Sequence, residues 1–215
     1  MKTFLQILCL SFIWMLDGCP GLPDFDLLKV GKGDTELRDG DIIFHTSRSS
    51  QSLLIQKATG SPWSHMGVVF HMDGKPMVYE AVGPVKTTPL NTWTKRGKDG
   101  HYVVKRLKDA DRLLTSKNLE KLRKAGLAYR GKPYDLRFRF SDEELYCSEL
   151  VYKIYRNALG IEVGELQRFS DFDLSEPAVR SELKRRYKGG FNPSETLITP
   201  EAMYRSPLLE TVAKR

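Results

Sequence analysis

An Asp-Gly pair at positions 73 and 74 separates two apolar runs, His65 to Phe70 and Met77 to Val82. That pattern constrains the chain more than any other. Asp-Gly supplies the two positive-φ residues of a tight turn whose twist matches that of paired strands. A two-residue turn also sets the register, because facing positions must sum to 73 + 74 = 147. Glu80 then faces Gly67, and the alternation of side chains puts His65, Gly67 and Glu80 on one face. His65 and Glu80 become diagonal neighbours with Cβ atoms about 7–8 Å apart. Two side chains close that gap to a hydrogen bond, and Gly67 leaves space between them. A slip of one residue would send Glu80 to the opposite face, so the turn decides the pairing. His71 shares the face but lies roughly 20 Å along the strand at ~3.3 Å per residue, too far to orient His65. His45 and His101 offer no such geometry and read as surface residues.

Strands group early in the chain and helices surround them, which predicts an α+β fold. A strand is expected over 41–46, and a helix over 50–58 that stops at Gly60. After the hairpin come a loop through Gly83-Pro84, a short helical piece near 91–96 and a strand over 102–107. A helix follows over 117–129 with Ser116 as N-cap. Gly131-Lys132-Pro133-Tyr134-Asp135 then breaks the chain. Prolines at a first-turn position predict a helix near Pro177 and a short one over 200–204. At 215 residues with 40% hydrophobic content, one sizeable core is expected.

The N-terminus reads differently. Lys2 precedes an apolar stretch, Phe4 to Leu16, broken only by Gln6 and Ser11. A bilayer span takes ~20 apolar residues, whereas a signal-peptide core takes ~7–15. Leu16-Asp17-Gly18-Cys19 is similar to a bacterial lipobox, with Asp17 departing from the usual small uncharged residue. Residues 1–19 are therefore expected to be a signal peptide, with Cys19 lipidated. A plain secretory signal and an uncleaved anchor are the other readings. Residues 20–37 form a linker, and 38–215 the folded domain. The protein is expected to be exported, as a periplasmic or membrane-anchored lipoprotein. Its net charge of +7 suits anionic lipid headgroups or acidic wall polymers. With no long basic block or basic-aromatic stripe, nucleic acid is not an expected partner.

Of three cysteines, Cys9 would leave with the leader and Cys19 would carry lipid, so Cys147 stands alone. It shares one helical face with Val151, Ile154 and Ala158, in a segment ended by Gly160. That helix starts either at a Ser141–Glu144 capping box or after an extended segment reaching Tyr146. The later start puts Cys147 in the first turn, where the helix dipole favours thiolate over thiol. All four histidines precede Cys147, so a papain order of Cys before His is excluded. A catalytic set is defined by geometry, however, and His before Cys is chemically sound. His65 as base, Glu80 as its orienting carboxylate and Cys147 as nucleophile follow. No cofactor is needed, and spacing along extended strands argues against zinc held by His65, His71 and Glu80.

Six strings in order resemble a known family: GDIIF (Gly40–Phe44), SHMGVVF (Ser64–Phe70), VYEAVGPVKTTPL (Val78–Leu90), HYVVKRL (His101–Leu107), GKPYD (Gly131–Asp135) and YCSELVYKIY (Tyr146–Tyr155). Together they resemble the YiiX/YebB-like hydrolases, circularly permuted relatives of the NlpC-type, papain-like cell-wall peptidases. The resemblance runs from about Arg38 to the C-terminal tail. It implies a permuted papain-like fold, an antiparallel half-barrel sheet packed with helices. It also implies cysteine hydrolase chemistry at Cys147, His65 and Glu80, the residues chosen from geometry. The implied substrates are amide or peptide bonds of cell-wall material, or acyl-lipid bonds. The permuted acyltransferases of the lecithin–retinol type carry related chemistry to lipids. The alternative is a non-catalytic envelope lipoprotein that binds a lipid or wall ligand in a papain-like cleft.

Overall fold

The computed structural model describes residues 36–188 and 190–215. The expected leader, with Cys19, and most of the expected linker lie outside the described residues. The elements run in the order β1 (Ile42–His45), α1 (Ser50–Thr59), β2 (His65–Met72), β3 (Lys75–Ala81), β4 (Val85–Pro89) and α2 (Leu90–Thr94). Then come β5 (Val103–Leu107), α3 (Ala110–Leu113), α4 (Ser116–Leu127), α5 (Cys147–Leu159) and β6 (Gln167–Arg168). The chain ends with α6 (Pro177–Arg186), β7 (Thr196–Leu197), α7 (Pro200–Tyr204) and β8 (Leu209–Lys214). Six strands form one antiparallel sheet in the order β4-β3-β2-β1-β5-β8. The architecture is α+β, as expected.

The hairpin obeys its turn. Asp73 and Gly74 both take positive φ, 51° and 72°, and the strands pair Val68 with Tyr79 and Met72 with Lys75. Each pair sums to 147, so His65, Gly67 and Glu80 share a face. Pleating gives the sheet two apolar sides. Ile42, Phe44, Met66, Val68, Phe70 and Tyr79 face the main core, which includes Leu150, Val151 and Ile154 of α5. On the other side Ile43, Val69, Val78 and Val104 pack around Trp93 of α2. Strand β1 sits between β2 and β5, and its Ile42, Ile43 and Phe44 are fully buried. Asp41, just before it, accepts two bonds from Arg106 of β5, from Nε at 2.6 Å and Nη2 at 2.8 Å. This bidentate pair ties the two strands at one end.

Helix α5 takes the later of the two expected starts. Tyr146 is its extended N-cap and Gly160, with φ 67°, closes it. Cys147 is therefore the first helical residue. Three local readings are corrected. Helix α4 is capped by Thr115, whose Oγ1 accepts from the Asn118 amide, and Ser116 is already helical. The chain after Gly83-Pro84 is strand β4 rather than loop, and it forms a second hairpin with β3, pairing Ala81 with Val85 through Met77 with Pro89. The C-terminal tail supplies β8, which pairs with β5 across a bulge at Val104/Lys105.

Gly67 lies where β2 and β3 approach most closely. A Cβ there would stand 2.5 Å from Val78 Cγ1 and 2.7 Å from the Tyr79 carbonyl oxygen. Gly67→Ala should therefore destabilise the fold by about 1–3 kcal/mol, as overpacking does. Denaturant unfolding measures this, and a variant as stable as wild type would contradict the close approach.

Candidate active site

His65 opens β2 and is nearly buried, at 8% exposure. Its Nε2 lies 2.6 Å from Oε2 of Glu80, the diagonal neighbour expected from the hairpin. Glu80 has no exposed surface. Its second oxygen accepts from Thr88 Oγ1 on β4 at 2.6 Å, and from the Arg96 guanidinium just after α2. Strand β4, absent from the sequence reading, thus completes the carboxylate's surroundings. Burial alone would raise the Glu80 pKa, but hydrogen bonds and charge from His65, then Thr88 and Arg96, outweigh it and bring it to about 2. Glu80 is a carboxylate at neutral pH.

Cys147 reaches the same imidazole from α5. The helix packs on β2 and β3, and its first residue meets the start of β2. Burial pushes the His65 pKa down, yet hydrogen bonds to Cys147 and Glu80, with the charges of both, carry it up to about 9. With Nε2 committed to Glu80, Nδ1 remains for the thiol. The structure thus brings His65, Glu80 and Cys147 together, and Cys147 is 2% exposed.

Tyr134 adds a fourth group that sequence reasoning missed. It lies in the Gly131–Asp135 break, which is bound to the residues before Cys147. Leu145 N donates to the Pro133 carbonyl at 3.0 Å, and Asp135 N to the Leu145 carbonyl at 3.2 Å. The phenol so held accepts from Gln51 Nε2 at 3.1 Å and lies near enough to Cys147 to feel its charge. Burial first, then the charge at Cys147, drive its pKa well above the ordinary 10.0. It stays a neutral O–H donor beside the sulfur. The signal in the sequence was the GKPYD string, whose tyrosine carried no geometric argument of its own.

His45 is not a surface residue. It is fully buried and faces His65 across the β1–β2 pair. Its ring stacks on Trp93 at 3.9 Å and lies 5.3 Å from the His65 ring. Burial, then the positive charges of His65 and Arg96, lower its pKa to about 2. Neutral His45 therefore leaves the Glu80 charge to His65 and Arg96. His101 is exposed, as expected. His71 Nδ1 pairs instead with Asp39 at 2.8 Å, in a cluster shared with Arg123. Among the described residues no group of three or more His, Cys, Asp and Glu side chains is arranged to hold a metal ion.

Known proteins share this fold. A solved structure from Escherichia coli O157:H7, described as the metalloprotein yiiX, superposes with a TM-score of 0.79 at 48% identity, over 83% of this chain and 97% of that one. The Escherichia coli K12 protein described as "Uncharacterized protein YiiX" is 49% identical over 175 residues, covering 81% of this chain and 85% of its own. A family model described as "Permuted papain-like amidase enzyme, YaeF/YiiX, C92 family" matches residues 36–213. The chain belongs to this C92 family of permuted papain-like cysteine amidases.

Proposed function

We propose that the chain is an exported cysteine amidase acting on cell-envelope material, with Cys147 as nucleophile, His65 as general base and acid, and Glu80 as the group that orients His65. The observation that carries this reading is the buried line from carboxylate through imidazole to thiol, ending at the first residue of a helix. His65 takes the Cys147 proton, and the sulfur attacks an amide carbonyl carbon. Backbone N–H groups of the first turn of α5 and the Tyr134 hydroxyl are donors suited to stabilise the oxyanion. His65 then protonates the departing nitrogen. Water, deprotonated by the same ring, releases the acyl group from Cys147.

Lipidation of Cys19 would tether this chemistry to a membrane, and the net charge of +7 suits anionic surroundings. If so, the protein fractionates with membranes and Cys19→Ala leaves it soluble or unprocessed. Unchanged membrane association of that variant, followed by immunoblot, would count against the tether.

Iodoacetamide tests the nucleophile without a substrate. At pH 6, Cys147 should react roughly ten-fold or more faster than N-acetylcysteine, because His65 stands beside it to take its proton. His65→Ala should remove most of that excess, and Glu80→Gln a smaller part. A slow reaction at pH 6 and pH 9 alike, in protein whose cleft admits the reagent, would sink the assignment.

The same pair shapes stability against pH. The lowered Glu80 pKa stabilises fully above 4.5 and is lost as pH falls through about 2. The raised His65 pKa stabilises fully below 6.5 and is lost as pH rises through about 9. Both contributions are whole between pH 4.5 and 6.5. The melting-temperature gap between wild type and Glu80→Gln should therefore be widest there and narrow toward pH 9. A gap that does not vary with pH would show that the pair is not charged.

A further inference from the structure

Cys147 and His65 open onto different cavities. One lies between α1, α6 and the segment around β7, with Cys147 in its wall beside Ile55, Ala58, Val179, Leu183 and Leu197. The other has His65 in its wall with Ser47, Ser49, Ser64, Arg96 and Tyr134. Gln51 and Ile55 belong to both and mark the junction. The first is almost wholly apolar, whereas the second is mixed and presents polar side chains beside its apolar wall.

From this division we infer that the substrate is a fatty acyl amide, with its hydrocarbon chain in the Cys147 cavity and a polar amine in the His65 cavity. The inference rests on Cys147 as nucleophile and His65 as proton donor. In acyl transfer the acyl group stays on sulfur while the leaving nitrogen takes its proton from the imidazole. The cavity bounded by Cys147 therefore receives the acyl part, and the one bounded by His65 the amine. In the first step the S–C bond forms, the C–N bond breaks, and the thiol proton passes through His65 to the amine. In the second, water adds its oxygen to the carbonyl carbon as the C–S bond breaks. The products are a fatty acid and a free amine.

An apolar peptide would also present apolar side chains, but its backbone brings N–H and C=O groups that need partners when buried. The polar groups along the Cys147 cavity are already engaged. Ser148 Oγ donates to the Ile198 carbonyl at 2.8 Å, Thr199 Oγ1 to Gln167 Oε1 at 2.8 Å, and Thr59 Oγ1 to the Ile55 carbonyl at 2.8 Å. Arg186 Nε is bound to Glu182 at 2.6 Å. Of the fully buried side-chain atoms along it, the Tyr187 hydroxyl lacks a partner among the described residues, whereas a peptide requires several. A hydrocarbon chain requires none.

The p-nitrophenyl esters of acetate, hexanoate and decanoate test this below their aggregation limits, because an activated ester reports the acyl side alone. p-Nitrophenolate release and the intact mass of acylated protein give the acylation rate of Cys147. The rate should rise by up to about fourfold per added methylene, which is the ~0.8 kcal/mol of its burial, and by about 100-fold or more from acetate to decanoate. Ala58→Trp and Leu183→Trp, each checked for a wild-type circular dichroism spectrum, should cut the decanoate-to-acetate ratio below about ten by filling the cavity. Ala58 is only partly buried, which leaves a usable variant should Leu183→Trp not fold. A ratio near one in wild type, or a ratio surviving both substitutions, overturns the inference. So does faster acylation by the p-nitrophenyl ester of acetyl-Ala-Ala, which would indicate a peptide acyl group. In all three cases acylation of Cys147 leaves its role as nucleophile standing. If acetate leaves Cys147 unmodified while labelling N-acetylcysteine, the nucleophile reading fails and the inference with it.

Discussion

Glu80 is a carboxylate with no exposed surface, and the surrounding side chains are arranged to keep it charged. Removing an ion from water costs several kcal/mol even after the protein relaxes, unless partners replace the lost hydration. Here one oxygen takes the His65 ring, and the other takes Thr88 and Arg96. Those partners come from β2, β4 and the turn after α2, so the edge of the sheet must be complete before the site exists. The carboxylate in turn fixes which nitrogen of His65 faces the sulfur. His45, buried beside the pair, is kept neutral against the pull of that carboxylate, by burial first and then by the positive charges of His65 and Arg96.

The thiol is held with equal care from the other side of the sheet. Its N-terminal helix position depends on the segment that precedes it, and that segment is locked onto α5. Ser141 N donates to Glu149 Oε1 at 2.8 Å, while Lys153 bridges Glu149 at 2.9 Å and Asp142 at 2.7 Å. Glu149 is buried, and desolvation raises its pKa to about 7 against the pull of Lys153. The lock leaves Tyr146 extended and Cys147 at the first helical turn. It also keeps the 131–135 break paired with Leu145, which carries Tyr134 to the sulfur. His65 with Glu80, Cys147 and Tyr134 thus arrive on three separate pieces of chain, each with its own anchor.

Much of this was legible in the residues. The Asp73-Gly74 turn fixes a register, a register fixes a face, and a face brings His65 to Glu80. Each step is local, spanning sixteen residues from His65 to Glu80, so no long-range information was needed. The helix stop at Gly60 and the closure of α5 at Gly160 were readable for a related reason, since glycine tolerates the left-handed conformation that ends a helix. The thiol's place at a helix start was narrowed to two options by the same local chemistry.

What stayed hidden depended on pairing between distant segments. Leu209–Lys214 is extended because β5, about a hundred residues earlier, offers it an open edge, and its own pattern carries no comparable signal. His45 looks like a surface residue until β1 is laid against β2 and α2 closes over it with Trp93. Tyr134 gains its position only from the Leu145 pairing, and Thr88 and Arg96 only from strand β4 and the turn that follows α2. The sequence by itself determined that His65 meets Glu80 and that Cys147 sits near a helix start, because turn geometry and helix periodicity act over a few residues. Only the tertiary structure decided what surrounds them and which side of the sulfur is apolar, because burial and cavity lining are sums over segments that meet only when the chain has folded.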